Sequence, residues 1–240
     1  MPAYEVRVMR NEEIAEGTIA FHFEKPSDFS FIAGQFISLS LIDPPETDAE
    51  GDTRAFTIAS APYERDLMIA TRMRDTAFKR ILRKLKPGEL IRVRGPFGSL
   101  TLHDDATRAA VFLAGGIGIT PFRSIVLQST QFKSSHRLFL FYSNRHVEDA
   151  AFLDELKRCE RSNPHFKCIA TVTKPSDSER HWDGEMGYVN KTMVLKFIHD
   201  LQEPIYYIAG PPGMVVSMQL ELKAAGVPSQ QIRAEQFAGY

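Results

Sequence analysis

The hydrophobic pattern of this 240-residue chain changes period once, at His103–Arg108, and that change limits the folds open to it. Up to about residue 103, apolar and polar residues alternate in short β-rich runs at Tyr4–Met9, Thr18–Glu24, Phe36–Leu41, Ala55–Ser60, Leu67–Met73 and Leu90–Arg94, parted by Gly, Pro and Asp turns. Alternation puts successive side chains on opposite faces of a strand, and six short strands at this spacing predict a small antiparallel barrel. One segment departs from the pattern. Thr76–Lys86 carries Phe78, Ile81, Leu82 and Leu85 at helical spacing and stops at Pro87–Gly88, which predicts a single helix across one end of the barrel.

Beyond Thr107 strands alternate with helices. The strands are expected at Ala109–Ala114, Arg137–Ser143, Lys167–Val172, Ile205–Ala209 and Ile232–Glu235. The helices are expected near Thr120–Ser129, Ala150–Arg161, Thr192–Leu201 and Gly213–Ala225. A crossover helix returns the chain to the same end of a sheet, so these strands pair in parallel and form an open α/β unit with its ligand at their carboxyl ends. The length suits two cores, and the expected division is 1–104 and 105–240. The acidic stretch Pro44–Thr53 reads as a mobile loop.

Charge and cysteine content exclude several classes of function. With 29 basic and 30 acidic side chains, the net charge of -1 provides no pull toward nucleic acid or an anionic membrane. No run approaches the ~20 apolar residues of a membrane helix, and MPAYEVRVMR has no apolar signal segment, so a cytoplasmic protein without a membrane partner is expected. Cys159 and Cys168, nine positions apart, match no close-spaced ligand motif and read as reduced structural thiols rather than cluster ligands. The histidines form no paired metal motif.

Three motifs carry chemistry. Ala114-Gly115-Gly116-Ile117-Gly118-Ile119-Thr120-Pro121 lies where a buried strand meets a helix. Glycines there let backbone approach a ligand, and the helix presents free N–H groups and its positive dipole end to a phosphate, while Pro121 suits the first helical turn. Such turns also serve strand–helix packing alone. A second turn, Ala209-Gly210-Pro211-Pro212-Gly213-Met214, follows the fourth strand, and two such turns on one carboxyl edge suit an extended pyrophosphate ligand. In the barrel, Arg54-Ala55-Phe56-Thr57 puts a cation and an aromatic ring on one strand face with a hydroxyl beside them. These can bridge a pyrophosphate, stack on a planar heterocycle and hydrogen-bond a ring nitrogen, although an ordinary strand uses the same residue types.

Arg-Ala-Phe-Thr, Gly95-Pro96-Phe97-Gly98, the GGIGITP turn, AGPPGM and the ending Glu235-Gln236-Phe237-Ala238-Gly239-Tyr240 occur in the order and spacing of the ferredoxin-NADP reductase superfamily, which the chain resembles over nearly its whole length. The resemblance implies that Arg54 contacts the pyrophosphate of FAD, that Phe56 covers one face of the isoalloxazine and that Thr57 approaches N5. Where the family has Arg-x-Tyr-Ser, this chain has phenylalanine, so stacking is kept and a hydroxyl near the ribityl chain is lost. Thr76 and Ala77 begin the barrel helix, which by the same resemblance would point its N-terminus at the flavin pyrophosphate, with Arg72 and Met73 on the strand leading there; Arg72 reads equally as a solvated charge. Gly116, Gly118 and Thr120 are assigned by the resemblance to the nicotinamide nucleotide, with Gly210, Pro211 and Met214 on the opposite wall. Many relatives carry a cysteine before that last turn, whereas this chain has Ala209, so hydride transfer would rest on geometry, with the reacting atoms held ~3–3.5 Å apart in a water-poor cleft. Either Phe237 or Tyr240 would cover the flavin face opposite Phe56.

Ser143 and Arg145 follow the second strand of the α/β half, where a hydroxyl and a guanidinium can hold a 2′-phosphate, which leans toward NADPH; Glu148 and Asp149 keep NADH open. The leading expectation is a reductase passing electrons from NAD(P)H through FAD to a separate acceptor protein such as a ferredoxin or an oxygenase component. Alternatives are a free-flavin or ferric reductase and, in a different class, a non-catalytic electron-transfer or regulatory subunit.

Overall fold

The computed structural model describes residues 3–237. Strands β1 (Ala3–Ala15), β2 (Thr18–Phe23), β3 (Phe36–Ser40), β4 (Thr53–Thr57), β5 (Leu67–Arg72) and β6 (Leu90–Phe97) pair in the order β4-β3-β6-β1-β2-β5, all antiparallel. The chain leaving β4 rejoins the far edge through Ala59 N–H, which donates to the Met68 carbonyl at 2.7 Å, and so brings the two ends of the sheet together. Inward-facing residues Val6, Val8, Phe21, Phe23, Ile37, Leu39, Ile69, Ile91 and Val93 make one buried core, closed by Phe78 and Leu82 of α1 (Ala77–Lys84). Thr76 caps α1 by accepting from the Lys79 N–H at 3.3 Å, a contact worth about 1 kcal/mol. Arg83 and Lys84 in the last turn suit the negative end of the helix dipole.

β1 runs six residues past its expected end at Met9. Asn11, Glu12 and Glu13 are exposed, so no apolar alternation marks them as strand; they pair with Phe21, Ala20 and Ile19 of β2, and the Glu12 carboxylate adds a side-chain contact to His22 at 3.0 Å. The hairpin turns at Gly17, whose φ of +62° favours glycine and whose N–H donates to the Glu13 carboxylate at 3.0 Å.

The second sheet holds β7 (Ala110–Gly115), β8 (Leu138–Asn144), β9 (Phe166–Val172), β10 (Glu185–Met186), β11 (Ile205–Gly210) and β12 (Ile232–Gln236), all parallel, in the order β10-β9-β8-β7-β11-β12. Helices α2 (Thr120–Gln131), α3 (Leu153–Ser162), α4 (Lys191–Leu195) and α5 (Pro212–Ala224) link them. From β7 the chain steps outward to β8, β9 and β10, then returns to the other side of β7 as β11. This reversal of direction between β7 and β11 opens the crevice in which an open α/β sheet binds its ligand, and both glycine turns leave strands that flank it.

The helix expected over Thr192–Leu201 ends early, at Leu195. Ile198 and Leu201 are buried from the turns that follow, which supplies apolar spacing without helical backbone. The two-residue β10 is too short to show a period.

The halves are joined by polar ties as well as apolar packing. Ser124 of α2 donates to the Ser60 carbonyl at 2.7 Å, Arg233 of β12 to the Thr101 carbonyl at 2.8 Å, and the Glu16 N–H to the Glu148 carbonyl at 2.9 Å. Arg123 is buried among Glu64, Glu155 and the Ala59 carbonyl. Cys159 and Cys168 are free thiols, and burial pushes that of Cys168 up to about 12. Among the described residues no helix is long and apolar enough to cross a membrane.

Candidate functional site

A cleft of about 630 Å³ lies between the two sheets. Arg54, Phe56 and Thr57 come to it from β4, Arg72 from the end of β5 and Thr76 from the cap of α1. The α/β half contributes Thr120 from the start of α2 and Phe237 from the chain beyond β12. The volume falls within the ~300–1,000 Å³ of small-molecule sites. Seven residues singled out in the sequence therefore meet on one wall system, although they are spread from Arg54 to Phe237.

The barrel side of the cleft is cationic. Arg54 and Phe56 share a face of β4, as the period of two requires, and the Arg54 guanidinium lies 5.2 Å from the centre of the Phe78 ring. Arg54 Nη2 donates to Asp48 at 2.6 Å, and its Nε lies 2.9 Å from Glu50. Desolvation works against the Asp48 carboxylate, yet hydrogen bonds from Arg54 and from the N–H groups of Glu50 and Phe78 hold it below the usual carboxylate range. A carboxylate thus rests on a guanidinium and on the first turn of α1 at once. Arg74 and Lys79 also line this side. Burial, together with Arg74 and Arg54, pushes the Lys79 amine down to about 8, and it donates to the Arg72 carbonyl at 2.6 Å. Arg72 is not simply solvated: its guanidinium reaches across the seam to the buried Asp149 at 2.7 Å.

Met73 packs against the barrel core and Ala77 is buried in the first turn of α1, so neither lines the cleft. On the other side, Ile117 and Thr120 represent the first glycine turn, the Thr120 hydroxyl donating to the Ile117 carbonyl at 3.1 Å. Gly116 begins a short 3-10 turn with φ +49°. The two glycine turns pack against each other. A Cβ on Gly115 would lie 2.4 Å from the Met214 sulfur and 2.9 Å from Pro211, and one on Gly118 would lie 2.2 Å from the Ala209 carbonyl oxygen. Close packing accounts for Gly115 and Gly118; Gly118, Gly210, Pro211 and Met214 lie beside the cleft without lining it. Ser143 and the exposed Arg145 stand at the carboxyl end of β8, also outside the cleft wall. Phe237 donates its N–H to the Gly210 carbonyl at 2.9 Å, which ties the chain beyond β12 to the second turn. Tyr240, the other terminal aromatic, lies outside the described residues.

Sequence reasoning passed over Lys79, Arg74, Glu235 and Gln236, all of which line the cleft. The signal for Lys79 was its place three positions after the cap Thr76, on the same first turn. Burial raises the Glu235 carboxyl, which faces the cleft from β12 and was treated only as part of a terminal motif.

The donor set fits a flavin dinucleotide. The Asp48 carboxylate occupies an anion position shared by a guanidinium and a helix N-terminus, the chemistry a pyrophosphate requires, with Phe56 beside it for a planar ring. An oxidoreductase FAD-binding domain family matches residues 5–102, and an oxidoreductase NAD-binding domain family matches residues 112–219. The chain belongs to the ferredoxin-NADP reductase superfamily. Among relatives in that superfamily, ferredoxin–NADP reductase B of Sorangium cellulosum is 28% identical over 98% of this chain and 97% of its own. One component of the Na(+)-translocating NADH-quinone reductase of Marinomonas sp. (strain MWYL1) is 29% identical over 76% of this chain, which spans 44% of that component. The fold is shared with a ferredoxin NADP+ reductase from Neisseria gonorrhoeae with bound FAD and NADP, at a TM-score of 0.81 and 21% identity over 98% of both chains. FAD and a nicotinamide dinucleotide are accordingly the cofactors of this superfamily member.

Proposed function

We propose that this chain is an NAD(P)H-dependent flavoprotein reductase that passes electrons to a separate acceptor protein such as a ferredoxin or an oxygenase component, in the cytoplasm. The observation that carries the reading is the single cleft into which the barrel sends Arg54, Phe56 and Thr57 and the α/β half sends Thr120 and Phe237. In this reading residues 1–104 hold FAD and residues 105–240 the nicotinamide nucleotide. Bound FAD supplies an acceptor of two electrons that can release them singly. Arg54 and the first turn of α1, at Thr76 and Ala77, hold its pyrophosphate, with Arg72 nearby, while Phe56 covers one ring face and Thr57 hydrogen-bonds the ring. Gly116, Gly118 and Thr120 with Gly210, Pro211 and Met214 shape the crevice for the nicotinamide nucleotide. Phe237 shields the second ring face and excludes water; Tyr240 is its competitor for that role. No acid–base pair is required for hydride transfer itself.

The test is spectroscopic. Protein saturated with FAD should stay yellow after desalting, bleach anaerobically on addition of NADPH or NADH, and recover its colour on addition of an oxidised ferredoxin-type protein. Absence of bleaching would remove the reductase reading. A second reading, a reductase that releases reduced flavin, is favoured by the carboxylates that hold Arg54; it predicts colourless protein after desalting and turnover only with added flavin.

Arg145 should bias the choice of nicotinamide cofactor. It stands exposed at the end of β8, with Lys174 of the next loop donating its N–H to the Arg145 carbonyl at 2.9 Å, so this edge carries two cations and Ser143. If NADPH is used, Arg145→Ala should raise its KM selectively, by one charge-assisted contact of ~1.5–3 kcal/mol, or roughly 10- to 150-fold. An equal change for NADH would leave Arg145 as a surface charge.

A further inference from the structure

The segment joining β3 to β4 is held by the very groups that the flavin reading assigns to a pyrophosphate. Asp48 Oδ1 lies 2.6 Å from Arg54 Nη2, Glu50 Oε2 lies 2.9 Å from Arg54 Nε, and Asp48 also accepts from the Phe78 N–H in the first turn of α1. Arg54 Nη1 donates to the carbonyls of Glu50 at 2.9 Å, Gly51 at 3.0 Å and Thr53 at 2.9 Å. Every nitrogen of the guanidinium is therefore engaged by this one segment. Glu46 fastens it a second time, to Nε of Arg80 on α1 at 3.0 Å and to Nη2 at 2.5 Å. Left-handed backbone marks both ends, at Asp43 with φ +44° and Gly51 with φ +77°. The Glu50 side chain is 77% exposed, so its carboxylate exchanges Arg54 for water at little cost.

A phosphate oxygen and a carboxylate oxygen ask for the same donors in the same geometry. They cannot both have them. We propose that residues 44–52 form an acidic strap whose Asp48 and Glu50 carboxylates compete with the diphosphate of a flavin dinucleotide for Arg54 and the start of α1. The strap sets how tightly the dinucleotide is held and leaves the affinity for an unphosphorylated flavin untouched. This rests on the reading of Arg54 as a pyrophosphate ligand. It differs from a positioning role, in which Asp48 would brace Arg54 for the flavin and its loss would weaken binding.

Titration of the flavin-free full chain with FAD and with riboflavin, followed by quenching of flavin fluorescence, separates these cases. The double variant D48N/E50Q should lower the Kd for FAD about tenfold or more, since two charged competitors become neutral, and should leave that for riboflavin within about twofold. R54A should raise the Kd for FAD and spare riboflavin. If R54A weakens FAD while D48N/E50Q leaves it unchanged or weaker, the carboxylates brace Arg54 and the strap is overturned, with the pyrophosphate reading intact. If R54A changes nothing, the pyrophosphate reading fails and takes the strap with it. A measurement on the unmodified chain guards against a misfolded variant: cleavage by a glutamate-specific protease at Glu46 or Glu50 should quicken on addition of FAD and not of riboflavin, and protection by FAD would also overturn the proposal.

Discussion

Replacing Arg123 with methionine is expected to lower the thermal unfolding midpoint by about 10 °C, because breaking a buried ion cluster costs ~3–5 kcal/mol and a chain of this size loses ~2–4 °C per kcal/mol. The residue is 5% exposed. Its Nε and Nη2 donate to Glu155 at 2.7 and 2.8 Å, and its Nη1 donates to Glu64 at 2.9 Å and to the Ala59 carbonyl at 2.7 Å. The guanidinium also lies 4.9 Å from the centre of the Phe152 ring. Desolvation disfavours the buried charge, but the two carboxylates outweigh it and raise its pKa. Methionine would fill much of the volume and leave Glu64 and Glu155 facing each other without a cation. Each carboxylate is 28% exposed, so water relieves part of the repulsion and the lower half of the energy range applies. Adding Glu64→Gln and Glu155→Gln to the methionine variant should restore part of the loss, since no uncompensated charge then remains. A midpoint within about 2 °C of the unmodified protein would show that the cluster is solvated and contributes little.

Alanine at Gly118 should be as damaging for a different reason. The added Cβ would lie 2.2 Å from the Ala209 carbonyl oxygen, 2.4 Å from its carbon and 2.7 Å from the Gly210 nitrogen. All three atoms are backbone of β11, so no side chain can rotate away and the turn after β7 that carries Gly118 must part from β11. The expected cost is about 3 kcal/mol or more, at the upper end of overpacking. Gly213 is the control. A Cβ there meets nothing within 4 Å, and alanine in the first turn of α5 should change stability by less than about 1 kcal/mol, with the sign favouring alanine. Thermal midpoints of the two variants side by side decide the matter: equal, small shifts would mean that the β7 turn yields easily.

The two-sheet plan was legible because both periods repeat, and a misjudged residue in one strand does not move the others. What failed was local and had physical causes. In β1 the residues from Arg10 to Glu13 are all exposed and polar, so no alternation marks that stretch as strand although it pairs with β2. Ile198 and Leu201 are buried from turns and imitate a helix. At the site, Arg54, Phe56, Thr57 and Thr120 were recoverable because each lies in a short motif at an element boundary. The partner of Arg72 was not recoverable, since Asp149 is 77 positions away and only the packed seam brings them together. Nor did the acidity of Pro44–Thr53 show where its carboxylates go. Composition marks a loop and is silent on whether it docks.

The seam itself has a consequence for turnover. Many two-domain enzymes admit and release substrate by swinging about a hinge, and the rate of that swing then limits the cycle. Here an opening motion would have to break the Arg123 cluster, the Arg72–Asp149 pair and the Arg233 and Ser124 hydrogen bonds together. Several such contacts broken at once make a wide opening rare. Traffic through the cleft is left to small parts that move while the two bodies stand still, and temperature or viscosity should therefore affect entry and exit as they affect a side chain or short loop rather than a whole domain.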